Sequence, residues 1–157
     1  MTVDELVQQF VGIRTKMEAG AAEAASTAMA ERGSEIVRAL LSRPGRSLPG
    51  EPPGMQSGEL RSSIRVVPGT PGEISRASVS PHTVYARIQE FGGEIWPSRR
   101  KYLSWIDTSA FGHGGRVYAK RVHLPERSYM RKMREIGIAD GSFKAAARRA
   151  FDDVTGL

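Results

Sequence analysis

The 157-residue sequence contains no cysteine, which excludes disulfides and thiolate metal sites and fits a reducing compartment. No apolar run reaches membrane-spanning length, so no membrane partner is expected. The first residues include Asp4 and Glu5 and lack the basic-then-apolar order of a signal peptide. There are three histidines, His82, His113 and His123, and none stands at the i, i+4 spacing of a zinc helix. No serine sits in a Gly-x-Ser-x-Gly elbow or another triad frame. Asp152 and Asp153 adjoin each other, so on a helix they point apart. These absences predict no enzymatic activity, no bound metal and no cofactor. Hydrophobic residues make up 39%, low for a compact globule and too high for a disordered chain.

What is present is charge and a clear order of elements. The net charge of +6 and a pI near 10.1 suit a nucleic-acid partner or, if spread over many surfaces, solubility alone. Thr2 to Glu5 is a capping-box pattern. Leu6, Phe10, Ile13 and Met17 follow at helical spacing, and Ala21, Ala24, Ala25 and Ala28 continue the stripe. Gly33 interrupts it, Ile36, Val37, Leu40 and Leu41 resume it, and Pro44 ends it. One unbroken helix of that length would outreach a small sheet, so a break near Gly33 or an outside contact is expected. The alanine stripe suits a closely packed partner helix, or reflects helix propensity alone.

The expected organisation is a single α+β domain. Residues 1–43 form an N-terminal helical region, 44–57 a Pro/Gly loop, 58–124 a sheet region and 125–157 C-terminal helices. The sheet is expected to be antiparallel with about four strands, and the helices to cover one face. The loop lacks the Gly-Lys-Ser/Thr ending of a P-loop. It and Ser109 to Gly115 are expected to be mobile in the lone chain and ordered by neighbours. Leu60 and Ile64 form a buried pair on a short turn that enters the first strand, and Ile74 to Ser80 forms the second. Val84, Ala86 and Ile88 alternate with Tyr85, Arg87 and Gln89, which predicts a half-buried strand, with a short helix as the alternative. It ends at a Phe91-Gly92-Gly93 corner that Phe91 is expected to anchor in the core. Tyr102 to Ile106 and Arg116 to Leu124 supply further strands. Pro125 is placed in the first turn of a helix capped by Gly137, and Ser142 caps the last helix.

Arg99, Arg100 and Lys101 are the sharpest basic cluster and stand beside Trp96, Tyr102 and Trp105. Basic residues interleaved with aromatics bind nucleic acid by charge and stacking. The preferred reading is instead a mobile charged loop whose aromatic neighbours belong to the core. Arg131, Lys132 and Arg134 form a second basic face, suited to an acidic protein ring as well as to DNA.

Three segments occur in a telling order: SGELRSSI from Ser57, VYARIQEFGG from Val84 and LPERSYMRKMREI from Leu124. With them the chain resembles the tail-completion, or head–tail joining, proteins of long-tailed bacteriophages, also labelled minor tail or neck proteins. Leu60, Arg61, Ser63 and Ile64 match that family's first motif. Tyr85, Ala86, Glu90, Phe91 and Gly92 match the second. Pro125, Arg127 and Tyr129 match the third, where Ser128 replaces the usual proline. The resemblance implies a non-catalytic virion protein, assembled in the host cytoplasm into a ring at the neck. It implies six copies in register with the tail, touching a tail terminator, a head-closure or adaptor ring and the tail tube, with packaged DNA passing nearby. A basic nucleic-acid-binding module without a virion role is the alternative.

Overall fold

The computed structural model describes residues 2–16, 20–45, 47–71, 75–107 and 115–156. The capping box at the start forms as its sequence requires. The Thr2 amide donates to Glu5 Oε2 at 2.7 Å, and the Glu5 amide donates to Thr2 Oγ1 at 3.3 Å. Helix α1 (Val3–Lys16) follows and buries none of its residues. Met17, expected to extend its stripe, lies outside the described residues. Gly20, at φ 87°, separates α1 from α2 (Ala22–Leu40). The break expected near Gly33 is therefore displaced. Gly33 is buried within α2, where a Cβ would come 3.2 Å from Met133 Sδ, so it admits a neighbouring helix instead of ending its own.

Helix α2 is the beam on which the rest packs. Ile36, Val37 and Leu41 meet Leu60, Ile64, Ala86, Tyr129 and Met133 in one buried cluster. Helix α5 (Tyr129–Ala139) and helix α6 (Ser142–Thr155) both lie against α2. Ala28 of α2 shares a groove with Ala145, Ala146 and Ala150 of α6, so the alanine stripe finds its partner helix within the chain. A short helix, α3 (Glu59–Ser62), leads into strand β1 (Ile64–Val67), with Leu60 and Ile64 both buried as their spacing predicted.

The expected single sheet of about four strands is replaced by three two-stranded antiparallel ladders among the described residues. Strand β1 pairs with β2 (Ser78–Pro81), Ile64 opposite Pro81. Ile74, expected to begin the second strand, lies outside the described residues. Strand β3 (Gly93–Ile95) pairs with β6 (Val122–Leu124), and β4 (Leu103–Asp107) with β5 (Gly115–Ala119). The stretch expected as one strand, Arg116 to Leu124, thus breaks at Lys120-Arg121 and sends its halves to different partners. Of the Ser109 to Gly115 loop only Gly115 is described.

The segment expected as a strand ending in a buried phenylalanine is helix α4 (Ala86–Phe91). Helical spacing turns Ala86 and Glu90, four residues apart, toward the core. Phe91 then points outward and is 70% exposed, so it anchors nothing. Pro125 stands outside α5, which begins four residues later, and Gly137 lies inside α5 under the Phe143 ring. Gly141 precedes α6, and Asp140 Oδ1 accepts the Ser142 amide at 2.8 Å, so the cap comes from Asp140.

Described residues of the Pro44 to Ser57 loop hydrogen-bond to the rest of the chain. The Met55 amide donates to the Arg43 carbonyl at 2.7 Å, and the Gly50 amide to the Glu126 carbonyl at 3.2 Å. Lys132 Nζ donates to the Gly50 carbonyl at 2.5 Å.

Candidate functional site

Two of the motif segments meet in one junction. Glu90, 9% exposed, extends its carboxylate to the first turn of α5. Its Oε2 accepts the Met130 amide at 2.9 Å and its Oε1 the Arg131 amide at 3.1 Å. These are donors that a helix start leaves without an internal partner, so Glu90 caps α5 from across the core. The backbone continues the tie. The Arg127 amide donates to the Gln89 carbonyl at 3.2 Å and the Ser128 amide to the Glu90 carbonyl at 3.1 Å. Ser128 takes φ 42°. A proline there could adopt neither that φ nor that donor role.

Tyr129 is fully buried, and its hydroxyl donates to the Ala86 carbonyl at 3.3 Å. Burial pushes its phenol above the ordinary value, and the nearby Glu90 charge adds to this. Gly92, at φ 68°, passes so close to the third segment that a Cβ would lie 2.6 Å from the Glu126 nitrogen and 2.7 Å from the Leu124 oxygen. The first segment joins through Tyr85, whose hydroxyl donates to Glu59 Oε2 at 3.2 Å. Burial first, then the Glu59 charge, raises that phenol as well. Ser63 adds its carbonyl, which accepts the His82 amide at 3.1 Å.

Beside this junction lies a cleft of about 550 Å³, lined by Met55, Arg61, Tyr85, Gln89 and Arg127 among others. The Arg127 guanidinium bonds to Ser47 across it. Glu126, hydrogen-bonded by Ser128 and paired with Arg131, is held below the usual carboxylate range. Arg131 and Lys132, expected to meet a partner, are thus engaged within the chain. Arg134 is exposed.

The second region is the β4–β5 hairpin with its preceding loop. Arg99, Arg100 and Lys101 are all exposed. Their aromatic neighbours are not core residues, contrary to the preferred reading. Trp96 is 59% exposed, and Tyr102 and Trp105 are exposed too. Lys101 Nζ stands 5.7 Å from the Tyr102 ring centroid and the Arg121 guanidinium 6.0 Å from that of Trp96, both within cation–π range. The register places Leu103, Trp105, Val117 and Ala119 on one face, opposite Ser104, Ile106, Arg116 and Tyr118. Among the described residues the two strands pack extensively on each other and on no other helix or strand.

Sequence reasoning singled out both regions but missed the role of Glu90. The i, i+4 spacing of Ala86 and Glu90 was the available signal. His82 Nε2 lies 3.1 Å from Ser80 Oγ, His123 is exposed, and His113 lies outside the described residues. Among the described residues no three His, Asp or Glu side chains gather where they could hold a metal, and no helix is long and apolar enough to cross a membrane. Compared with protein-family models, curated proteins and solved structures, the chain matches none of them.

Proposed function

We propose that this chain is a structural subunit of a tailed-bacteriophage neck, part of the ring that completes the tail and joins it to the head. The observation that carries the assembly part is the pair of uncovered elements. Helix α1 exposes Val3, Val7, Phe10, Val11 and Ile13, and the hairpin exposes Trp105, Ile106 and Tyr118. A helix of 14 residues and a lone two-stranded hairpin are both marginal in water without packing. An assembly supplies that packing. The three ordered segments supply the neck, because they are what resembles the tail-completion family. In this reading the chain performs no catalysis. It contacts copies of itself, six in register with the tail, together with a tail terminator, a head-closure or adaptor protein and the tail tube. Particles produced from the genome that encodes this chain test it. Cryo-EM should show the chain at the head–tail junction, and mass spectrometry should find it at low copy number. Its absence from particles would overturn the neck reading.

A second reading, a nucleic-acid-binding module, is favoured by the exposed Trp96, Tyr102 and Trp105 around Arg99 to Lys101. Binding of duplex DNA across a salt series separates the two. Tight binding by the lone subunit that falls steeply with salt favours this reading, provided that particles assemble normally when all three cations are replaced by glutamate.

A further inference from the structure

We propose that α1 of one copy packs across the apolar face of the β4–β5 hairpin of the next copy. The proposal rests on the reading of the chain as a ring subunit and names the contact that links its copies. Each surface has what the other lacks. On α1, Val3, Leu6, Val7, Phe10 and Ile13 share one side, and Phe10 is 66% exposed. On the hairpin, Trp105 is 40% exposed and shares one face with the half-buried Leu103, Val117 and Ala119, and among the described residues no other helix or strand packs extensively on these strands. A helix laid on a sheet is a stable two-layer arrangement, and either element alone is not.

The dimensions and charges agree. The 14 residues of α1 span about 20 Å at ~1.5 Å per residue. The five-residue strands span about 17 Å at ~3.4 Å per residue. Between Glu94 and His123 the sequence has six Lys and Arg against two carboxylates. The first turn of α1 presents Asp4 and Glu5. Placing that turn at the root of the hairpin, by Lys101 and Lys120, sets opposite charges together and fixes the direction of the helix. Symmetric pairing of two α1 helices would leave the hairpin bare, whereas this contact covers α1 together with the Trp105 face of the hairpin. One helix and one hairpin per copy make it head-to-tail, the type that closes a ring when the rotation between copies allows.

The absence of cysteine makes the test clean. Phe10→Cys and Trp105→Cys are made in separate full-length chains and oxidised at high concentration, alone and mixed. Val7→Cys with Val117→Cys is the second pair, in case the first places its sulfurs badly. Circular dichroism checks that each variant folds. The mixture should yield at least about tenfold more disulfide dimer than either variant alone, as a specific contact does against random collision. Dimers mainly of Phe10→Cys with itself would overturn the proposal in favour of helix pairing. So would no dimer from either mixture. Loss of thiols without dimer in the Phe10→Cys/Trp105→Cys double variant would overturn it in favour of docking within one chain. Failure of this test leaves the presence of the chain in particles untouched, so the docking and the neck readings fail separately.

Discussion

The junction between Tyr85 and Gly92 and the hairpin between Leu103 and Ala119 are built from similar side chains, yet they treat water in opposite ways. In the junction a carboxylate is buried, because Glu90 finds two amide donors waiting at the start of α5. In the hairpin a tryptophan, an isoleucine and a tyrosine remain exposed, and among the described residues no other helix or strand packs extensively on the two strands. For Glu90, burial follows the supply of partners. A buried polar group with every bond made marks a joint internal to the fold. Exposed aromatics on a bare two-stranded ladder mark a joint with something else.

The largest effect should come from filling the closest approach in the junction. Gly92→Val places a branched side chain at φ 68°, against backbone less than 3 Å away. A loss of about 3 kcal/mol or more is expected from strain and overpacking together. Urea denaturation measures it, and a loss under about 1 kcal/mol would mean the two segments separate easily. Glu90→Ala should follow, at about 2–3 kcal/mol, since it leaves the part-buried Met130 and Arg131 amides without their acceptor. Glu90→Gln retains one acceptor oxygen and should lose less. Equal losses for the two variants would show that side-chain volume, and not capping, is what matters.

A pH effect of intermediate size is expected at the alkaline end. Tyr129 holds its proton more tightly when folded than at its ordinary value of 10.0, because burial disfavours the phenolate. Its contribution is therefore intact below pH 10 and is lost as pH rises beyond that value, where the unfolded chain ionises first. Stability should fall by about 1.4 kcal/mol per pH unit for each proton so retained. Unfolding midpoints between about pH 9 and pH 11 should drop more steeply in the native chain than in Tyr129→Phe. Parallel slopes would remove Tyr129 as the cause. The smallest effects belong to the outward side chains. Phe91→Ala, and Arg99, Arg100 and Lys101 all changed to Glu, should each move stability by no more than about 0.5 kcal/mol. A loss of several kcal/mol in either would place those residues in a contact within the chain and erase the contrast between the regions.

The features legible in the sequence were those that depend on near neighbours. The capping box before α1, the turn that carries Leu60 into β1, the core side of α2 and the left-handed corner at Gly92 each need only a few adjacent residues. The segments that build the junction were visible as well, though not their contact. From Ala86 to Phe91 a period of two and a period of four both fit so short a stretch, and propensity does not choose between them. The choice depends on amides some forty residues further on that need the Glu90 carboxylate, so the segment coils and Phe91 is turned out to water. The bond from Lys132 to the Gly50 carbonyl is likewise made across more than eighty residues of sequence. Arg116 to Leu124 divides between two ladders. Hydrogen-bond and shape partners remote in the chain exist only once it has folded, so tertiary structure alone could assign the inside and outside of these residues.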